Sequence, residues 1–127
     1  MEETVRAFNH VINQGKALYW GTSDWNADEN AQAWRYADKL GLIGPRHGTA
    51  EDSILKREKV EHKLAHLYRE VGLGLTTCSP LRLGILSGKH RDGIPEGSRL
   101  AQTQVEFIAG LWQRTGKDEF EAMAAGL

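Results

Sequence analysis

The sequence has 127 residues, of which 40% are hydrophobic and 26% charged, with a formal net charge of −1. Basic and acidic residues are interspersed, which gives no reason to expect a nucleic-acid partner, and no apolar run approaches the roughly 18 residues that span a bilayer. The single cysteine, Cys78, excludes an internal disulfide and is typical of a reducing compartment. We therefore expect one domain over residues 1–127, located in the cytoplasm.

The first third of the chain predicts two helices around a short strand. Apolar residues recur at helical spacing over residues 1–14. The aromatic-rich residues 18–23 (LYWGTS) predict a strand. Ser23 or Asp24 is the expected cap of a second helix that ends at Gly41.

The remaining elements complete an alternating pattern. Residues 53–71 predict a third helix capped by Asp52 or Ser53, residues 73–81 a second strand, and a final helical region begins near Arg99. Helices and strands that alternate about every 30 residues are typical of parallel strands with crossover helices. The predicted fold class is α/β, dominated by helices, with two or three short parallel strands.

Residues 44–55 (GPRHGTAEDSIL) stand where the alternation requires another strand, yet they are strongly polar. Gly48 weakens a strand interior, and the carboxylates of Glu51 and Asp52 cannot be buried without partners. We therefore expect a loop here instead of a central strand. His47, Glu51 and Asp52 are the candidate general acid/base residues of a catalyst, and a solvated loop is the alternative.

A resemblance to the aldo-keto reductases, in the branch that includes potassium-channel β subunits, rests on three stretches: EETVRAFNHVINQGKALYWGTSDW, LKREKVE and GLGLTTCSPLRLGILSGKHRDGIPEGSR. It covers residues 1 to about 115. It implies a truncated (β/α) barrel that contains strands five to seven with their helices and the cofactor loop. The family's catalytic tyrosine, lysine, aspartate and histidine would then lie upstream of this sequence, so we expect hydride transfer to be lost for want of a proton donor.

The resemblance also assigns cofactor positions residue by residue. Ser23 matches the serine that bonds the nicotinamide carboxamide. Ser79, Leu81 and Lys89 match the loop around the cofactor's diphosphate. Backbone amides and a lysine form a suitable anion cradle in such a loop.

Two other positions depart from the family's cofactor site. Thr49 stands where the family has a glutamine, and Cys78 stands where an aromatic residue often stacks on the nicotinamide. Both are nicotinamide contacts in the family, and neither replacement can reproduce its predecessor. We therefore expect no bound cofactor, with NADP(H) as the alternative.

Three classes of function remain open. The first is a cofactor-independent enzyme (isomerase, dehydratase, lyase or cyclase) acting on a small apolar metabolite, for which the four tryptophans form either a pocket wall or simple core. The second is a non-catalytic remnant that binds a full-length reductase or a channel-like partner. The third is a residual NADP(H)-binding oxidoreductase.

Two further expectations concern metal binding and assembly. His62 and His66 are four residues apart on a predicted helix, which is metal-capable spacing, but a solvated face is the simpler interpretation and we expect no metal. Half a barrel would expose apolar surface that soluble monomers rarely leave uncovered. A homodimer is therefore the expected assembly.

Overall fold

The computed structural model describes residues 1–89 and 95–102. The chain divides into two compact units, Met1–Cys78 and Ser79–Leu127. All of the strands found among the described residues lie in the first unit. The expectation of one domain stays a prediction.

Three parallel strands form the sheet in the first unit, in the order β1 (Gly21–Ser23), β2 (His47–Glu51) and β3 (Gly74–Cys78). β2 pairs with β1 on one side and along its whole length with β3 on the other. The predicted α/β class with short parallel strands is confirmed.

The expectation that residues 44–55 form a loop is wrong, because β2 is the central strand. Its residues alternate between the two faces of the sheet. Gly48 and Ala50 are buried on the helix-covered face, where small side chains fit. On the other face, the side chains of His47, Thr49 and Glu51 are exposed or half-buried. The polar side chains therefore stay in contact with solvent while the backbone of β2 forms its hydrogen bonds to β3.

The two longest helices of the described residues, α1 (Glu2–Asn13) and α2 (Ala27–Leu40), pack on each other through Val5, Ala33 and Ala37. The predicted caps of α2, Ser23 and Asp24, are wrong. The Asn26 side chain accepts from the Glu29 backbone N–H at 2.9 Å, and the Glu29 carboxylate accepts from the Asn26 N–H at 2.8 Å. This reciprocal capping box satisfies two N–H groups that a helix start leaves unpaired.

The third predicted helix is broken into a π-helix, Lys59–Lys63, and a short α3, Ala65–Glu70. Neither predicted cap, Asp52 or Ser53, begins a helix. Ser53 and Lys56 instead exchange two backbone hydrogen bonds of 3.2 and 3.0 Å in a tight turn, which delays the start of the helical segment.

The core of the first unit has two clusters that meet at α2. The first consists of Val5, Trp20, Ala33 and Ala37. The second consists of Ala50, Leu64, Leu67 and Leu73, with Ala27 and Ala31 packed against it. Alanines on two sides of α2 therefore let the helix approach α1 and α3 closely.

A buried amide ties α1 to the segment before β2. Asn9 donates to the carbonyls of Val5 and Ile43, and its own carbonyl accepts from the Ile43 N–H, each at 2.9 Å. The indole N–H of Trp20 donates to the same Ile43 carbonyl at 2.8 Å. Asn9 is buried yet fully used, as a buried polar group should be.

The second unit begins with a 3-10 segment, Arg82–Ser87, followed by a short 3-10 turn, Arg99–Ala101. That turn stands where the final helical region was predicted to begin, and the rest of that region lies outside the described residues. No helix in the described part of the chain is long and apolar enough to cross a membrane.

Candidate functional site

Polar side chains follow the carboxyl ends of the parallel strands. In α/β proteins, ligands bind at this edge of the sheet. Ser23 ends β1, Glu51 ends β2 and Cys78 ends β3, and the backbone N–H of Asp52 donates to the Cys78 carbonyl at 3.3 Å. Ser23, assigned to the cofactor by resemblance, therefore stands at an edge suited to a ligand.

The predicted acid/base residues do not come together. His47 begins β2 and Glu51 ends it, so they are roughly 13 Å apart at about 3.3 Å per residue. Glu51 forms an ion pair of 3.3 Å with Lys56. Asp52 follows Glu51, beyond the end of the strand, and is equally remote from His47. β2 thus separates the base from the two carboxylates, and the catalytic role of each stays a prediction.

The amino end of the sheet holds His47 among glycines. Gly21 and Gly74 are its direct partners on β1 and β3. The imidazole lies over Gly21, since a Cβ there would be 2.2 Å from the ring. His47 therefore occupies space that its neighbours leave empty, at the end of the sheet opposite the usual ligand edge.

A row of hydroxyl-bearing residues crosses the sheet at the last residue of β1 and two residues before the ends of β2 and β3. Ser23 pairs with Thr49, and Thr49 pairs with Thr76. The Thr49 and Thr76 hydroxyl oxygens are 2.6 Å apart, which is a hydrogen bond. From the sequence, Thr49 was interpreted only as the loss of a glutamine that contacts the nicotinamide in the family. Its hydrogen bond to Thr76 was not predicted, because no local pattern relates two threonines on different strands.

An ion pair that the sequence analysis also missed stands beside Ser23. The Lys59 ammonium reaches back from the π-helix to the Asp24 carboxylate and donates to the Asp24 carbonyl at 3.1 Å. Asp24 adopts a left-handed φ of 58°, and its N–H donates to the Thr49 carbonyl at 2.8 Å. A π-helical turn is often found at a functional position, and here it places the lysine.

A cleft of about 360 Å³ lies within the second unit, lined by residues between Ser79 and Lys89 and by Arg99. Three of the four predicted cofactor residues line it: Ser79, Leu81 and Lys89. Arg99 joins them, a residue that the sequence analysis did not single out. Gly84 completes the polar backbone side of the cleft. Two cationic side chains, a hydroxyl and a turn-rich backbone therefore share one small space, which is a donor set for an anion.

The backbone of this cleft is unusually bent. Ser79, Arg82 and Leu83 all have left-handed φ values, at 54°, 48° and 57°, and Gly84 follows at 94°. Non-glycine residues in this region of φ are uncommon and are concentrated at functional sites. The N–H groups of Arg82 and Gly84 donate to the carbonyls of Ser79 and Leu81, both at 2.8 Å, so consecutive turns set the path of this backbone.

The predicted histidine pair is not on one helix. His62 belongs to the π-helix and His66 to α3, so the regular four-residue spacing does not hold between them. Across residues 1–89 and 95–102, no group of three or more histidine, cysteine or acidic side chains is arranged to hold a metal ion.

Comparison with known protein families identifies the family of this chain. The model of the aldo/keto reductase family matches residues 1–126, almost the entire sequence. The chain belongs to the aldo/keto reductase family. The resemblance inferred from three short stretches is thereby confirmed, and the three parallel strands are part of the aldo/keto reductase barrel.

Curated relatives support this assignment. The chain is 44% identical over 128 aligned positions to a probable voltage-gated potassium channel subunit beta of Arabidopsis thaliana, covering 100% of the chain and 38% of that protein. A protein of the same name from Oryza sativa subsp. japonica is 50% identical over 110 residues, covering 86% of the chain and 34% of the relative.

A putative voltage-gated potassium channel subunit beta of Schizosaccharomyces pombe is 45% identical over 121 residues, which cover 95% of the chain and 35% of that protein. The aldo/keto reductase chain thus spans little more than a third of the length of these relatives. The activities and partners of whole relatives therefore belong among the proposals.

Proposed function

We propose that this aldo/keto reductase chain binds the phosphate end of NADP(H) in the cleft lined by Ser79, Lys89 and Arg99. The observation that carries the proposal is that Ser79, Leu81 and Lys89, three positions assigned to the cofactor by resemblance, line one cleft together with Arg99. A cleft of about 360 Å³ lies within the range of small-molecule sites.

The hydrogen-bond donors that line this cleft are suited to the diphosphate of NADP(H). A diphosphate presents several anionic oxygens, and charge-assisted hydrogen bonds from lysine and arginine are the strong ones. Lys89 and Arg99 supply those charges, and Ser79 supplies a hydroxyl. NADP(H) would supply a hydride when bound, and Ser79, Lys89 and Arg99 would hold its diphosphate.

A cofactor-independent lyase or isomerase, the first class considered from the sequence, has weaker support. Such an enzyme needs an acid and a base within reach of one small substrate. His47 and Glu51 stand at opposite ends of β2, roughly 13 Å apart at about 3.3 Å per residue. Cofactor binding is therefore the function that the geometry favours.

A fluorescence titration with NADPH tests the proposal. We expect saturable binding to the wild-type protein and at least tenfold weaker binding by Lys89→Gln, since one charge-assisted contact contributes about 1.5–3 kcal/mol and about 1.4 kcal/mol is a factor of ten. Lys16→Gln removes an exposed lysine on the first unit and is the matched control. Absence of binding at millimolar NADPH, or equal affinity of the two variants, would refute the proposal.

The names of the relatives support a second candidate, association with a voltage-gated potassium channel. Co-purification with the cytoplasmic part of such a channel is the test, and failure to co-purify at micromolar concentration counts against it.

The homodimer remains a proposal as well, supported by large apolar side chains at the surface of the first unit: Leu18 is 80% and Tyr19 63% exposed. Sedimentation equilibrium decides it.

A further inference from the structure

A second cleft lies in the Met1–Cys78 unit, lined by residues of α2, α3 and the segment before β2. Its volume is about 780 Å³, within the range of small-molecule sites. Trp34, Leu67 and Val71 supply apolar lining. Neither of the two functions proposed above, NADP(H) binding and association with a channel, uses this cleft.

Arg46 is held firmly at this cleft. Its backbone N–H donates to the Trp20 carbonyl and its carbonyl accepts from the Gly74 N–H, both at 2.8 Å. Its guanidinium stands over two aromatic rings, 5.8 Å from the centroid of Tyr19 and 5.7 Å from that of Trp34. Such cation–π contacts fix the side chain without neutralising its charge.

Charged groups of both signs surround the apolar lining. Arg35, Arg46 and His66 are basic, whereas Asp38 and Glu70 are acidic. None of the five belongs to an ion pair with another described residue. Their hydrogen-bonding capacity is therefore available to a ligand, and arginine is the side chain best shaped to bind a carboxylate with two parallel hydrogen bonds.

We propose that this cleft binds a small monocarboxylate with an apolar or aromatic body. Arg46 and Arg35 receive the carboxylate, and the body packs against Trp34, Leu67 and Val71. The two acidic residues at the same cleft repel a second carboxylate, so a dicarboxylate binds more weakly. The proposal concerns one unit only and does not depend on NADP(H) binding.

Calorimetric titration with 2-naphthoate, accompanied by tryptophan fluorescence, tests this site. We expect saturable binding with a fluorescence change, and at least tenfold weaker binding of the uncharged 2-naphthamide, because a factor of ten corresponds to about 1.4 kcal/mol and a hydrogen bond to a charged group contributes more than this. Arg46→Gln is expected to weaken 2-naphthoate binding by about the same factor. Lys16→Gln, which alters an exposed charge outside the cleft, leaves it unchanged.

A second variant keeps the test valid if Arg46→Gln fails to fold. Arg35→Gln changes an exposed residue of α2 and is expected to weaken binding while the circular dichroism spectrum stays that of the wild type. The proposal is overturned by no binding at millimolar 2-naphthoate, by equal affinity for 2-naphthamide, or by wild-type affinity in both arginine variants. Tighter binding of naphthalene-2,6-dicarboxylate or of zwitterionic 2-naphthylalanine also overturns it, since either result assigns a different ligand class.

Discussion

The indole ring of Trp34 lies flat against Gly44. A Cβ at residue 44 would be 2.8 Å from the indole Cδ2, 2.9 Å from Cε3 and 3.0 Å from Cε2, closer than Cβ atoms approach other carbons. Gly44 is buried, and Trp34 also lines the cleft beside α2. The absence of a side chain at residue 44 thus fixes where the indole lies.

Replacing Gly44 by alanine should destabilise the protein. The added methyl group overlaps a bulky ring, and overpacking of this kind costs about 1–3 kcal/mol in the free energy of unfolding. Urea unfolding measures the loss. Gly48→Ala is the control, since its Cβ meets the nearest atom at 3.3 Å, and it should cost less. Equal losses for the two variants would contradict the packing described here.

Asn9→Ala should lower the free energy of unfolding by about 2 kcal/mol. The substitution leaves the Ile43 N–H without its acceptor, while the Ile43 carbonyl keeps the bond from the Trp20 indole N–H. A buried group left unpaired costs about 1–3 kcal/mol, and the lost second bond to the carbonyl adds to this. Asn13→Ala, on the exposed end of the same helix, is the matched control and should change stability little. If both variants unfold at the same urea concentration, the buried amide does not hold α1 in place.

Asn26→Ala should destabilise α2 by about 1 kcal/mol, because it removes an N-cap whose side chain accepts from the Glu29 N–H. Ser23→Ala tests the cap predicted from the sequence and should leave thermal stability unchanged. A larger effect at Ser23 than at Asn26 would restore the original assignment.

The Tyr68 phenol should make stability fall at high pH. Burial raises its pKa above the usual 10.0, and the negative charge of Asp52 adds to the shift. The folded state therefore holds the proton more tightly than the unfolded chain, so this contribution is intact below pH 10.0 and is lost as pH rises through the folded pKa.

Unfolding measurements between about pH 8 and pH 11 check this sign. Tyr68→Phe should lose less stability across that range than the wild type, and it should be no less stable at neutral pH. Its hydroxyl is buried without a hydrogen-bond partner among the described residues. Tyr19→Phe, at an exposed tyrosine, is the control and should follow the wild type. Parallel curves for all three proteins would show that Tyr68 titrates normally.

Local patterns predicted most of the fold but failed at β2. Gly48, Glu51 and Asp52 suggested a loop because each residue was judged alone. The segment HGTAE in fact alternates polar and small residues, and this is the signature of a strand with one covered face. The backbone bonds to β1 and β3 then outweigh the low strand propensity of one glycine.

The candidate sites were less predictable than the fold. The family resemblance led to Ser79, Leu81 and Lys89, since that loop is continuous in sequence. Arg99 was missed because nine residues lie between it and Lys89. No sequence pattern indicated the cleft of about 780 Å³ that Arg46 lines. Its lining comes from three separate segments of the chain, which only packing brings together.

Phosphorus-31 NMR of NADPH titrated with the protein tests the central claim most directly, because it reports on the phosphate groups themselves. The account predicts that the diphosphate resonances broaden or shift in the presence of the wild-type protein. They should do neither with a folded Lys89→Gln/Arg99→Gln double variant. Unchanged diphosphate resonances with the wild type, or the same changes with the double variant, would contradict phosphate binding in the cleft lined by Ser79, Lys89 and Arg99.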